Sequence, residues 1–226
     1  MTGAPTRRLV VRRLGRVPYA EALELQEALV AELQAGQGVD TLLLLEHDPV
    51  ITLGRDAKRE HLRHSEAFLR ACGVEVVETD RGGDATFHGP GQLVAYPIFD
   101  LRPDWCDVRR FVNGLERAMI DTLADYTLSA APIAGLPGVW LSEPDRKIGA
   151  IGARVRRWVT NHGLALNVNT ELEYFDLSVP CGIADKGVTS IAREKGHEVP
   201  LEAVMKSLMG HLASVFGREI TEVVDG

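Results

Sequence analysis

The stretch KIGAIGARVRRWVTNHGLALNVN, Lys147 to Asn169, decides the fold class. Two runs of small and branched apolar residues, KIGAIGARV and HGLALNVN, lie close together, and GVWL with a turn at Glu143-Pro144-Asp145 comes just before them. Strand-like pieces joined by connections this short pair antiparallel, because a parallel pair needs a crossover of about a dozen residues or more. Upstream, Asp107 can cap a long helix through Tyr126, with Val108, Phe111, Leu115, Met119 and Leu123 spaced by three and four. QLVAYPIFDL before it reads as a strand. From Pro18, Leu23, Ala28, Leu29 and Leu33 recur at helical spacing until Gly36 supplies a stop. TLLLLEH and VITLG flank the Asp48-Pro49 turn as two short strands, and a short helix near Ser65 to Cys72 ends at Gly73 before the strand VEVVET. Downstream, a helix from about Leu201 to Phe216 is stopped by Gly217 ahead of a terminal strand, REITEVV. Strands cluster and helices do not alternate strictly with them. The expected class is therefore α+β, with a mixed, largely antiparallel sheet flanked by helices, and not a doubly wound nucleotide fold.

The chain has 226 residues, 45% of them apolar, and shows no repeat, low-complexity tract or linker, so one domain over residues 1–226 is expected. A formal charge of −7 argues against a grip on phosphate backbones, so no nucleic-acid partner is expected. The cysteines, Cys72, Cys106 and Cys181, are odd in number and form no CxxC pair. Neither a disulfide framework nor a zinc ribbon follows, and a reducing, cytoplasmic location fits. The longest apolar run, Thr41 to Leu45, is far short of a membrane span, and Arg12 and Arg13 interrupt any signal-peptide core. The first twenty residues are rich in Arg and lack acid, as transit peptides do, but Leu9 to Val11 also reads as an opening strand. No Walker, dinucleotide, GxSxG or HExxH signature is present. His61 and His64 stand three apart with no further ligands nearby, the pattern of a solvated helix face.

Cys181 lies in VPCGIADKGVTS, between a proline and a glycine, where turn chemistry can aim backbone N–H groups at a bound group. Cys72 sits in an apolar helical pattern and reads as core, and Cys106 sits in the loop PDWCD. Most free cysteines are small buried hydrophobes, and Cys181 alone could be one. As a nucleophile it needs a partner, since a thiol of pKa about 8.5 is only slightly ionised at neutral pH. Lys147 and His88 are the candidates. If Arg146 to Val155 alternates as a strand, Lys147 shares an apolar face with Gly149, Ile151, Ala153 and Val155, while Arg154 and Arg156 point oppositely. A bulge would overturn that assignment. To serve as a base near pH 7, a lysine must fall by about three units, roughly 4 kcal/mol, which burial can supply.

The run RGGDATFHGPGQLVAY from Arg81 to Tyr96, followed in order by KIGAIG, HGLALNVN and VPCGI, closely resembles lipoyl(octanoyl) transferases, and EHDPVITLG at Glu46 to Gly54 is similar to that family's early strands. The resemblance covers most of the chain. It implies the α+β catalytic domain shared with lipoate- and biotin-protein ligases. It also implies transfer of an octanoyl group from octanoyl-acyl carrier protein to a lysine of lipoyl domains, those of 2-oxoacid dehydrogenase E2 subunits and glycine cleavage H protein, with no ATP, metal or other cofactor. By the same resemblance, Cys181 is the acyl-thioester nucleophile and Lys147 the residue that lowers its pKa. Substrate is bound by Arg81, Gly82, Gly83, Asp84, Ala85, Thr86, Phe87 and His88, by Ala150, Ile151 and Gly152, and by Gly163, Leu164 and Ala165. Phe87 stands where tyrosine is as readily expected, and Asp84 and Ala85 fall at variable positions that contribute backbone.

The glycines at 82, 83, 89 and 91 leave backbone uncovered, so a linear acyl chain could lie against the loop. Burying about seven methylenes is worth on the order of 5 kcal/mol. Arg81 could brace the loop or touch the pantetheine arm, and Lys147, Arg154, Arg156 and Arg157 form a local basic cluster suited to an acidic carrier protein. An ATP-dependent lipoate ligase, a non-catalytic acyl or lipoyl-domain binder and a cysteine hydrolase are the alternatives.

Overall fold

The computed structural model describes residues 7–177 and 186–226. The strands are β1 (Arg7–Val17), β2 (Thr41–His47), β3 (Val50–Leu53), β4 (Glu75–Glu78), β5 (Ala85–His88), β6 (Gln92–Ile98), β7 (Ala131–Ile133), β8 (Leu136–Leu141), β9 (Arg146–Arg156), β10 (Val159–Asn167), β11 (Gly187–Val188) and β12 (Arg218–Asp225). The helices are α1 (Tyr19–Gln34), α2 (Glu66–Ala71), α3 (Val108–Asp125), α4 (Ile191–Lys195) and α5 (Leu201–Val215).

Among the described residues the large sheet runs β12-β1-β2-β6-β10-β9-β8-β7, with β11 added to β9, and a small sheet runs β4-β3-β5. β8, β9 and β10 are antiparallel neighbours, as their short connections require. The pairs β1–β12, β1–β2 and β9–β11 are parallel, so the sheet is mixed and α+β is the architecture.

Each face of the large sheet has its own cover. α3 and α5 bury Phe111, Leu115, Met119 and Leu208 against Val139, Ile148, Leu164 and Leu166. Asp107 caps α3 by accepting from the Arg110 N–H, which holds an orphan donor of the first turn. α1 covers the other face, packing Ala22, Leu29 and Leu33 on Leu43, Leu45, Val94 and Ala165. Its buried stripe is Tyr19, Ala22, Gln26, Leu29 and Leu33; Ala28 is exposed and Leu23 only half-buried. The true stripe contains a glutamine, which apolar periodicity passes over.

β2 and β3, adjacent in sequence, belong to different sheets: Asp48 and Pro49 carry the chain off the large sheet and into the small one. Cys72 is exposed and not core. α2 is a single short helix that buries only Leu69, so its C-terminal cap has no interior to enter. No described helix is long and apolar enough to cross a membrane.

Candidate active site

The small sheet and its glycine loop lean on the β9–β10 pair and enclose a cavity of about 460 Å³. Arg81 organises the loop. Its buried guanidinium donates from Nε to Thr52 Oγ1 at 3.0 Å, from Nη1 to the Gly82 carbonyl at 3.0 Å, and from Nη2 to the Thr52 and Asp84 carbonyls at 2.7 and 2.6 Å. Carbonyls that would otherwise be buried without donors are satisfied together, so Arg81 braces the loop. The loop then docks on β9 through the Gly82 N–H and the Ala153 carbonyl, 3.2 Å apart.

Arg81, Gly82, Gly83, Asp84, Ala85, Thr86 and His88 all border the cavity, as do Ala150, Ile151, Gly152, Gly163, Leu164, Ala165 and Lys147. Phe87 does not. It alternates away from Thr86 and His88, stacks on Tyr174 at 4.8 Å and meets Phe175 edge-on at 5.6 Å inside the small sheet's core. Two of the loop glycines also serve packing and not the cavity. A Cβ at Gly91, whose φ is +77°, would stand 2.6 Å from the Asn169 backbone, and one at Gly89 would strike the Phe87 ring.

Lys147 lies on the face opposite to the one alternation assigns. Pairing steps from Trp140 opposite Lys147 to Val139 opposite Gly149, so Ile148 is the extra residue of a β-bulge. Ile148 packs in the α3 core, and a Cβ on Gly149 would meet Met119 of α3. Below the bulge, Lys147 therefore stands with Trp140, Ala150, Gly152 and Arg154, on the cavity side of the sheet. Its Nζ rests 4.7 Å from the Trp140 ring centroid, a cation–π contact. β11 runs beside it, pairing Val188 with Lys147, and the Thr189 N–H donates to the Lys147 carbonyl at 2.9 Å. Cys181 and the VPCGI motif lie outside the described residues. The basic cluster divides: Lys147 borders the cavity, Arg154 is ion-paired with Asp80, and Arg156 is exposed near the β9–β10 turn.

Behind the cavity lies a buried group of rings. His47 Nδ1 donates to the Val17 carbonyl at 2.9 Å, and its Nε2 receives the Tyr96 hydroxyl at 2.8 Å. The His88 ring lies 5.7 Å from His47 and is stacked with Tyr19 at 6.4 Å. His162 Nε2 donates to Asp80 at 3.0 Å, and its ring meets Tyr96 edge-on. Burial lowers the pKa of His47 to about 4 and those of His88 and His162 to about 3; His47 and Arg81 add repulsion at His88, and Arg81 and Arg154 at His162. All three imidazoles are neutral at pH 7. Tyr19, His47, Tyr96 and His162 were not singled out from the sequence, although a histidine at a strand end and a tyrosine inside QLVAYPIF were the visible signals. His61 bonds Asp84 at 2.6 Å, and among the described residues no group of three or more His, Cys, Asp or Glu could hold a metal.

A sheet of this topology, carrying a loop-roofed cavity on the face that α1 covers, places the chain among the lipoate protein ligase folds. It superposes on the bi-partite lipoate protein ligase of Thermoplasma acidophilum, solved with its E2 lipoyl domain, with a TM-score of 0.73 at 17% identity, covering 96% of this chain and 87% of that one. Residues 18–213 match the lipoyl protein ligase A/B catalytic domain family, and the chain belongs to it. An octanoyltransferase of Chloroflexus aurantiacus is 50% identical over 94% of this chain and 96% of its own. One of Myxococcus xanthus is 50% identical over 93% of this chain, which spans 60% of that longer protein.

Proposed function

We propose that this chain transfers an octanoyl group from octanoyl-acyl carrier protein to a lysine of lipoyl domains, those of 2-oxoacid dehydrogenase E2 subunits and glycine cleavage H protein, through a thioester on Cys181. The chain is an enzyme, an octanoyltransferase of protein lipoylation; half-identity to octanoyltransferases along nearly its whole length supports this. A single catalytic unit and a cytoplasmic site of action belong to the same reading, and the parallel pairing of β1 with β12 in one sheet supports the former.

The observation that carries the mechanism is the cavity with Lys147 on its wall. Its volume falls in the range of about 300–1,000 Å³ typical of small-ligand sites, and Ala150, Gly152 and Ala165 keep its floor low enough for an alkyl chain. Lys147 favours the Cys181 thiolate as a nearby cation. The thiolate attacks the carrier thioester and the pantetheine thiol leaves, which keeps the acyl group activated as a new thioester. Backbone N–H groups beside the carbonyl stabilise the oxyanion. A neutral lysine amine of the acceptor then attacks, the C–S bond breaks as the C–N bond forms, and the proton the amine loses goes to the departing Cys181 sulfur, which leaves as the thiol. The donor already carries the activation energy, so neither nucleotide nor metal is required.

Intact mass spectrometry after mixing the protein with octanoyl-acyl carrier protein tests this. An octanoyl adduct mapping to Cys181, and amide product formed without ATP, are expected. A protein that acylates lipoyl domains only from free acid and ATP would be a ligase instead.

A further inference from the structure

The tautomer of His88 is fixed by a chain of hydrogen bonds that begins at a backbone carbonyl. The Thr189 carbonyl can only accept, so the group 2.9 Å from it must be the Nδ2 amide of Asn167. That turns Asn167 Oδ1 toward Gln92, whose Nε2 donates to it at 2.9 Å and to the Phe87 carbonyl at 3.2 Å. Gln92 Oε1 is thereby left facing His88 Nδ1 at 2.7 Å, and an amide oxygen accepts, so Nδ1 carries the hydrogen. His88, Gln92, Asn167 and Thr189 are all at most 6% exposed, so these bonds lie away from bulk solvent. Each link is forced by the one before it.

The other nitrogen, His88 Nε2, is then a lone pair, and among the described residues nothing donates to it. His88, Gln92 and Asn167 all border the cavity. A largely buried acceptor on the cavity wall is complementary to a substrate with a donor hydrogen. The octanoyl thioester has none at its reacting centre, whereas the incoming lysine amine has two N–H bonds. We infer that Gln92 and Asn167 are positioning residues that hold His88 as its Nδ1–H tautomer, so that its Nε2 receives an N–H of the lipoyl-domain lysine and orients the amine for attack. The contact is a hydrogen bond and transfers no proton. The same chain ends at Thr189, whose N–H holds the Lys147 carbonyl, so His88 and Lys147 share one framework. This rests on the transferase reading.

Two measurements test it, one of them independent of activity. Long-range ¹H–¹⁵N correlation spectra of ¹⁵N-histidine-labelled protein at pH 7, with the His88 signals identified by their loss in His88→Ala, report the tautomer. The Nδ1–H form is expected in the wild type and a shift toward Nε2–H in Gln92→Leu; a wild-type Nε2–H form or an imidazolium overturns the inference. In single-turnover assays, Gln92→Leu should form the Cys181 adduct at a rate within about twofold of wild type, yet pass it to a lipoyl-domain lysine about 10- to 100-fold more slowly, the range of one lost hydrogen bond in a largely buried site. Equal slowing of both half-reactions, or of neither, overturns the role in amine binding. Asn167→Leu, two bonds away from His88, should act in the same direction if Gln92→Leu fails to fold. Failure of the wild type to acquire an adduct would instead defeat the transferase reading, leaving the tautomer result to stand alone.

Discussion

The two faces of the large sheet are built to different rules. Under α3 and α5 the buried side chains are mainly apolar, with Phe111, Leu115, Met119, Leu164, Leu166 and Leu208 in one continuous cluster, and the buried Arg218–Asp40 ion pair sits at its Phe99–Phe216 edge. On the α1 side, buried Gln26, His47, His88, Gln92, His162 and Asn167 are set among apolar neighbours. An apolar core stabilises in proportion to area and tolerates repacking, whereas buried polar groups must each find partners and so specify one arrangement. Two of them, Gln26 Nε2 and His162 Nδ1, have no partner among the described residues. The second face is therefore the one that spends stability on a preorganised cavity.

The sharpest way to break this division is Lys147→Ala. It should slow Cys181 acylation by at least about 100-fold, the effect on thiolate fraction of a thiol pKa about two units higher, while unfolding free energy falls by less than the roughly 3 kcal/mol to which that factor corresponds. Rapid-quench mass spectrometry and chemical denaturation give the two numbers. A loss of stability as large as the loss of rate would mean that the polar face is structural after all.

Acid should weaken the polar face first. His47, His88 and His162 take up protons in the unfolded chain below about pH 6.5 but in the folded protein only near 4, 3 and 3. The unfolded state thus binds more protons across that window, so stability rises with pH and is lost as pH falls from 6.5. At pH 5 each buried histidine should remove about 2 kcal/mol. Denaturation midpoints at pH 7.5 and 5 measure the slope, and His162→Gln should reduce it by about a third. Phe111→Ala, on the apolar face, should cost about 3–5 kcal/mol at either pH and leave the slope unchanged.

The same contrast explains what could be read from the chain. α3 was legible because Asp107 caps it and its apolar residues keep one spacing, and β9 and β10 because small apolar runs flank a short turn. Most of the cavity wall was legible too, carried by the glycine loop and the two strands that face it. The side of Lys147 was not: a bulge at Ile148 changes the parity of the strand without any mark in KIGAIG. Gln92 and Asn167 carry no mark of their role within QLVAY and HGLALNVN, because a polar residue in an apolar strand signals burial only once its partner is known, and these partners are 75 residues apart. Cys72 was misplaced because helical spacing says nothing about what a short surface helix packs on.

The smallest expected effect probes the cavity floor. Ala150 pairs with Ala165 across β9 and β10, and both border the cavity on the face where Lys147 stands. Ala150→Val adds two methyl groups there without opposing the strand, since β-branched residues suit extended backbone. Each methylene an acyl chain can bury is worth about 0.8 kcal/mol, so losing room for one carbon should cost octanoyl about fourfold in kcat/KM, while hexanoyl is unaffected. The ratio of hexanoyl to octanoyl transfer should therefore rise about fourfold in the variant, with thermal stability unchanged. A rise in the ratio caused by faster hexanoyl transfer, or an equal loss for both chains, would place the alkyl group away from this floor and leave Ala150 as a packing residue of β9.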